Sequence, residues 1–154
     1  MTTQHDPSHI ARAVIDANSY MTIATAGRDG QPWPSPVWYA HIGYQEFFWV
    51  SSPASRHSRN LAERPQAGIV IFDSHAAAGS AQAVYLTAAA AEVPTDELAI
   101  GLDAYSARSQ ALVGKPWTSD QVCAPATLRL YHASVSELFI IDGDDQRVRA
   151  EIRE

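Results

Sequence analysis

Proline occupies every second position at Pro32, Pro34 and Pro36, inside a stretch that otherwise reads as a β-strand running to Ile42. Proline has no backbone N–H, so it is confined to sheet edges, strand starts and bulges. This stretch therefore reads as an edge or bulged strand whose backbone faces something other than a neighbouring strand. The remaining elements have to be laid out around it.

Before it, Asp6-Pro7 starts a helix, because Asp is a favoured cap and Pro is tolerated at the first helical position. That helix reaches about Asn18, with Ile10 and Val14 on its apolar face. Tyr20 to Ala26 alternates and forms a strand, closed into a hairpin by Gly27-Arg28-Asp29-Gly30. After the proline strand, Gly43-Tyr44-Gln45 turns the chain and Phe47 to Ser51 returns as an apolar strand. Ser51-Ser52-Pro53-Ala54 is a loop, and Ser55 caps a short helix ending at Arg64-Pro65, with Leu61 and Ala62 inward. Ala67 to Phe72 is a buried strand and Asp73 to Ser80 a small-residue loop. Gln82 to Val93 combines an alanine run with Val84-Tyr85-Leu86-Thr87. It reads as strand because Pro94-Thr95-Asp96-Glu97 supplies a new helix start. The following helix runs to Val113 with Leu98, Leu102, Tyr105 and Leu112 on one side, and Gly114-Lys115-Pro116-Trp117 breaks it. Ala126 to His132 and Val135 to Ile141 read as two more strands, before a charged tail from Asp142-Gly143-Asp144-Asp145. The expected fold class is mainly β (α+β): a six-stranded antiparallel barrel with peripheral helices, one domain over residues 1–154.

Bulk properties narrow the function. A net charge of −6 argues against a general nucleic-acid or anionic-membrane binder. The single cysteine, Cys123, excludes an intrachain disulfide and reads as a small packed residue in a reducing compartment. The start MTTQHDPSHI has neither a basic segment nor an apolar run, and no stretch reaches the ~18 apolar residues of a membrane span. A soluble cytoplasmic protein is the expectation.

Against the acidic background, the helix start at Ser55-Arg56-His57-Ser58-Arg59 stands out. A helix N-terminus leaves backbone N–H groups unpaired and carries partial positive charge, so it is a ready anion site. Two hydroxyls, two guanidiniums and an imidazole there point to a phosphate-bearing ligand.

The stretch from Gly30 to Asn60 resembles the pyridoxamine 5'-phosphate oxidase-like family of FMN-binding split barrels. Gly30-Gln31-Pro32-Trp33 matches the start of the family's G-Q-P-Y-Q-R pattern. Without a gap, Ser51-Ser52 falls on T-N, Ser55-Arg56-His57 on S-R-K, Arg64-Pro65 on N-P and Ile69-Val70-Ile71-Phe72 on the next strand. Gln82 falls on a glutamine of the strand after that. The resemblance implies a homodimer with FMN at the subunit interface and a small-molecule substrate. Arg56, His57, Ser51, Ser52 and Ser55 would hold the phosphate end. The ring would lie along Ser35, Pro36, Val37 and Trp38, with Gln82 hydrogen-bonding it.

Departures point away from the true oxidase. The enzyme's strand Arg and Lys are here Ser35 and Ala40, its S-R-K lysine is His57, and Arg129-Leu130-Tyr131-His132 lacks the flanks of the C-terminal substrate motif. The pattern P-x-P-V-W-Y with S-R-H-S-R-N-L is closer to the family's uncharacterised flavin- and deazaflavin-binding branch. A deazaflavin coenzyme is thus the alternative ligand, and a flavin carrier or sensor without turnover the alternative role.

Plainer readings stand beside these. Ser55 and Arg56 fit an ordinary capped surface helix, His57 a surface residue, and Gln82 a strand residue facing water. Trp33, Trp38, Trp49 and Tyr39 could line a ring pocket, but core or interface packing is the commoner use of such aromatics. His5 and His9 have metal-ligand spacing but no third ligand, and His41, His75 and His132 form no cluster, so no metal is expected.

Overall fold

The computed structural model describes residues 6–141 and 144–152. His5 and the tail residues Asp142-Gly143 lie outside them. Helix α1 (Pro7–Ala17) is capped as the sequence dictates: Asp6 accepts from the Ser8 amide at 3.0 Å, with Pro7 in the first turn. Strands β1 (Tyr20–Ala26) and β2 (Pro32–Trp38) form the first hairpin. After Tyr39 come β3 (Ala40–Ile42), β4 (Glu46–Ser51), helix α2 (Arg56–Glu63), β5 (Gln66–Phe72) and β6 (Ala83–Glu92). A 3-10 turn at Thr95–Glu97 leads into α3 (Leu98–Val113), followed by β7 (Arg129–Ile141) and β8 (Arg147–Arg149).

Every strand pair is antiparallel, in the order β2-β1-β5-β6-β7-β4-β3, with β8 added on β7. The two ends of this order, β2 and β3, are consecutive in the chain with only Tyr39 between them. The sheet therefore curls until its ends meet, which makes the antiparallel split barrel. Counting β2 and β3 as one bent strand gives the six barrel strands expected, and β8 is an addition.

The prolines sit where hydrogen bonding allows them. Pro32, Pro34 and Pro36 lie opposite Ala26, Ala24 and Thr22. Antiparallel partners exchange bonds at alternate positions, so the bonds to β1 must come from Trp33, Ser35 and Val37. The free edge of β2 consequently presents carbonyls and no N–H groups.

Side chains alternate across each strand. Met21, Ile23, Ile69, Ile71, Val84, Leu86, Leu138 and Ile140 fill the barrel interior with Phe47 and Trp49, and α1 inserts Ala11, Val14 and Ile15 at one end. Strand β4 is buried on both faces. Phe48 lies instead in an outer cluster with Leu98, Leu102 and Tyr105 of α3, which explains the unbroken apolar run Phe47 to Val50. A Cβ on Gly101 would come within 2.4 Å of the Phe48 ring, so glycine is what lets α3 close onto the barrel. Cys123 is partly buried against the same cluster.

Several sequence expectations are corrected. The two strands expected over 126–132 and 135–141 are one strand, β7, starting at Arg129. A bulge at Ser136 opposite Thr87/Ala88 shifts its alternation by one residue and breaks the apparent pattern. The strand expected through Ile42 bends at Tyr39, whose buried hydroxyl donates to the carbonyls of Ile15 at 2.6 Å and Asn18 at 3.0 Å. Leu112 is exposed together with Val113 in the last turn of α3, and Ser109 takes the buried position a turn earlier. Ala62 is also exposed, because α2 turns Ser58, Asn60 and Leu61 inward. The charged tail contains β8, whose short Arg-Val-Arg pattern carries no strand signal. Among the described residues, no helix is long and apolar enough to cross a membrane.

Candidate functional site

Strand β3 covers β4 only as far as Phe48, so the end of β4, Trp49 to Ser51, has no partner on that side. Between it and the carbonyl edge of β2 the barrel wall is split, and α2 begins there. Its cap, Ser55, accepts from the Ser58 amide at 3.4 Å. Ser52 shapes the approach: its hydroxyl accepts from the Ala54 amide at 3.1 Å and its carbonyl from the Ser55 amide at 3.1 Å.

Three predicted residues meet at this helix start. His57 Nε2 lies 2.9 Å from Ser51 Oγ and 3.2 Å from Ser55 Oγ. Ser55 in turn donates to Ser58 at 2.8 Å, and Tyr131 lines the same cleft as Ser58. One ring nitrogen carries either a proton or a lone pair, so it serves one of the two neighbouring hydroxyls well and leaves the other with spare capacity. Burial holds the His57 imidazole below its ordinary pKa, so at neutral pH the ring is uncharged.

The fixed charge is Arg56. Its guanidinium lies 4.3 Å over the Trp33 ring, and among the described residues no carboxylate pairs with it. The other first-turn arginine, Arg59, turns back to donate to the Ala54 carbonyl at 2.9 Å. The backbone amides of Arg56 and His57 have no intrahelical acceptor, as at any helix start. Spare hydroxyl capacity, a protonatable imidazole, an unpaired guanidinium and free amides together fit a phosphate.

The other predicted residues are placed less uniformly. Ser35 and Val37 point inward, opposite Ile23 and Met21; Pro36 and Trp38 point outward. Trp38 is covered by α3, packing edge-on against Tyr105 at 5.1 Å. A flat group along β2 would therefore rest on Pro34 and Pro36. Gln82 is exposed, one residue before β6. That end of β6 is the α1 end of the barrel, whereas α2 packs near its other end, about 30 Å away for a ten-residue strand. Within one chain Gln82 and the Ser51–His57 cluster stay apart. Tyr39 and Trp49 are fully buried core residues, which decides those two aromatics for packing.

Sequence reasoning missed Tyr131 and Asn60, though it had Ser58 in the helix start. Asn60 Nδ2 donates to Thr25 Oγ1 at 3.0 Å, fixing α2 to β1. The recurrence of Ser55, Ser58 and of Arg56, Asn60 at helical spacing was the available signal.

The model of the pyridoxamine 5'-phosphate oxidase family matches residues 9–140. The chain belongs to that family. No curated protein matches it. Its fold is similar to a heme binding protein from Mycobacterium smegmatis, at 22% identity and TM-score 0.71, covering 93% of this chain and 57% of that one. The chain thus spans little more than half of that relative. It also resembles HutZ, the heme storage protein from Vibrio cholerae, at 18% identity and TM-score 0.65, covering 86% and 89% of the two chains. An F420 reductase aligns at 16% identity and TM-score 0.59, over 82% and 94%. At these identities the likeness concerns the fold.

Arg129 and His132, the pair nearest in type to the oxidase family's substrate motif, are engaged elsewhere. Arg129 donates to the carbonyls of Ala126 and Leu128 and pairs with Glu92. His132 is bound to Glu46 and stacked on Phe48.

Proposed function

We propose that the protein binds FMN and serves as a flavin-dependent oxidoreductase for a small molecule. The observation carrying this reading is the unpaired Arg56 guanidinium beside the Ser51–His57–Ser55 cluster at the start of α2. Bound flavin supplies electron or hydride transfer, so the protein needs no nucleophile of its own. Arg56, the first-turn amides and the Ser51 and Ser55 hydroxyls hold the phosphate, and His57 gains a proton beside the dianion. Pro34 and Pro36 supply a flat apolar rest for the ring. The engagement of Arg129 and His132 argues against pyridoxamine phosphate as substrate.

The position of Gln82 favours a homodimer. The outer face of β1, β5, β6 and β7 carries a groove of about 460 Å³ lined by Thr22, Ala24, Val70, Tyr85 and Phe139. Tyr20 and Phe72 extend it and are 62% and 46% exposed. Two copies packed antiparallel on this face bring Gln82 of one toward the α2 end of the other. Phe72→Arg, at an exposed position, is expected to halve the mass in sedimentation; an unchanged mass rejects this face.

Equilibrium titration of the full chain with FMN tests the cofactor, with the deazaflavin coenzyme titrated alongside. Saturable FMN binding weakened about 10- to 100-fold by Arg56→Ala is expected, the loss of a charged hydrogen-bond partner. Tighter binding of the deazaflavin replaces FMN with that coenzyme. FMN binding indifferent to Arg56→Ala removes the phosphate site.

A further inference from the structure

We infer that Trp33 is the positioning residue of the anion site: its indole holds the Arg56 guanidinium by its face and leaves the N–H edge free for a phosphate. This rests on the phosphate reading above and names a residue that reading does not need.

Arg56 is the first residue of α2 and is exposed. A long side chain there, with no carboxylate among the described residues to hold it, would sample many rotamers, and ordering them on binding would cost affinity. The contact with Trp33 removes that freedom beforehand. A guanidinium stacked on an aromatic face keeps its donors in plane, where a carboxylate partner would consume two of them. Tryptophan is the strongest aromatic for this contact. An acidic partner would do the same ordering while neutralising the charge, so the aromatic platform is the arrangement that orders the cation and preserves it.

The platform is itself fixed to the same helix. Trp33 sits in β2 opposite Thr25. The Thr25 hydroxyl donates to the Trp33 carbonyl at 3.3 Å and accepts from Asn60 Nδ2 at 3.0 Å, with Thr25 and Asn60 both buried. Asn60 is four residues after Arg56, on the same face of α2. The helix is thus tied to Trp33 twice, through Asn60 and Thr25 to its backbone and through Arg56 to its ring. Trp33 remains 39% exposed, so its ring is not a core filler.

The test is a double-mutant cycle on the full chain, with dissociation constants for FMN and for riboflavin, which lacks the phosphate. Trp33→Leu is expected to weaken FMN about three- to fivefold, leave riboflavin unchanged, and have no further effect in an Arg56→Ala background. Trp33→Phe, which keeps a ring, is expected to stay within about twofold of the parent. Equal losses for FMN and riboflavin, or a loss that persists without Arg56, overturn the inference, as does no loss at all. In each of those cases an Arg56→Ala effect on FMN leaves the phosphate reading standing. If Arg56→Ala alone changes nothing, that reading fails and this inference with it. Should Trp33→Leu not fold, Trp33→Phe decides by the same cycle: its small loss must be confined to FMN and vanish with Arg56.

Discussion

The barrel is closed by a helix at each end, and the two ends treat their polar groups in opposite ways. At the α1 end Asp16 accepts from the Tyr44 phenol at 2.8 Å and lies 3.2 Å from His41 Nε2, while Tyr39 donates to two backbone carbonyls. At the α2 end, by contrast, hydroxyls and imidazole contact one another, Glu63 and Glu92 pair with Arg28 and Arg129, and among the described residues no carboxylate pairs with Arg56. An end whose carboxylate is spent on a neighbouring phenol and imidazole is architecture, with only the far nitrogen of that imidazole, His41 Nδ1, lacking a partner among these groups. An end left with surplus donors and positive charge is prepared for something that arrives from outside.

The comparison can be broken from either side. The largest effect expected at the α1 end is from Tyr39→Phe, which takes the phenol donor from the buried Ile15 carbonyl, while the Asn18 carbonyl keeps Arg108. A loss of about 1–3 kcal/mol in denaturant unfolding, with FMN affinity unchanged, is the expected outcome. An altered FMN affinity would show that the ends are coupled. Next is the pH dependence of stability. Burial holds both His41 and His57 below the ordinary histidine pKa, so the unfolded chain binds protons more readily than the folded one. Their contribution is fully present above about pH 6.5 and is lost as pH falls below it. His41→Gln and His57→Gln should each flatten the decline in melting temperature between pH 7 and 5.

Ligand binding should separate the two histidines. A dianion beside His57 raises its pKa, so FMN affinity should fall as pH rises from 6.5 to 8.5. His57→Gln should remove that slope and His41→Gln should leave it, as read by titration at each pH. The smallest effect is expected from Asp16→Asn, which removes the charge of an exposed carboxylate beside the His41 ring. A change under about 1 kcal/mol in stability and none in FMN binding is predicted.

How much of this was legible in the sequence depended on whether the signal was local. The edge position of β2 followed from three missing donors, and the α2 start from the residues themselves. The continuity of β7 was hidden because the Ser136 bulge reverses which side chains face inward partway along the strand. The Arg56 platform was hidden because Trp33 reaches it across a hairpin and a helix, which no spacing encodes. Gln82 was placed by resemblance, and its separation from the cluster is a matter of strand length and direction that only the fold exposes. Arg129 and His132 looked available in the sequence but meet acids distant in the chain, Glu92 and Glu46.

The alternating prolines have an effect beyond the site. A strand from another molecule adds to a sheet by giving and taking bonds in turn, and the rim at Pro32, Pro34 and Pro36 can only take. A strand edge from another copy therefore finds no donors along this rim. Growth of one continuous ribbon through this rim, the route to fibres, is denied by chemistry rather than by charge.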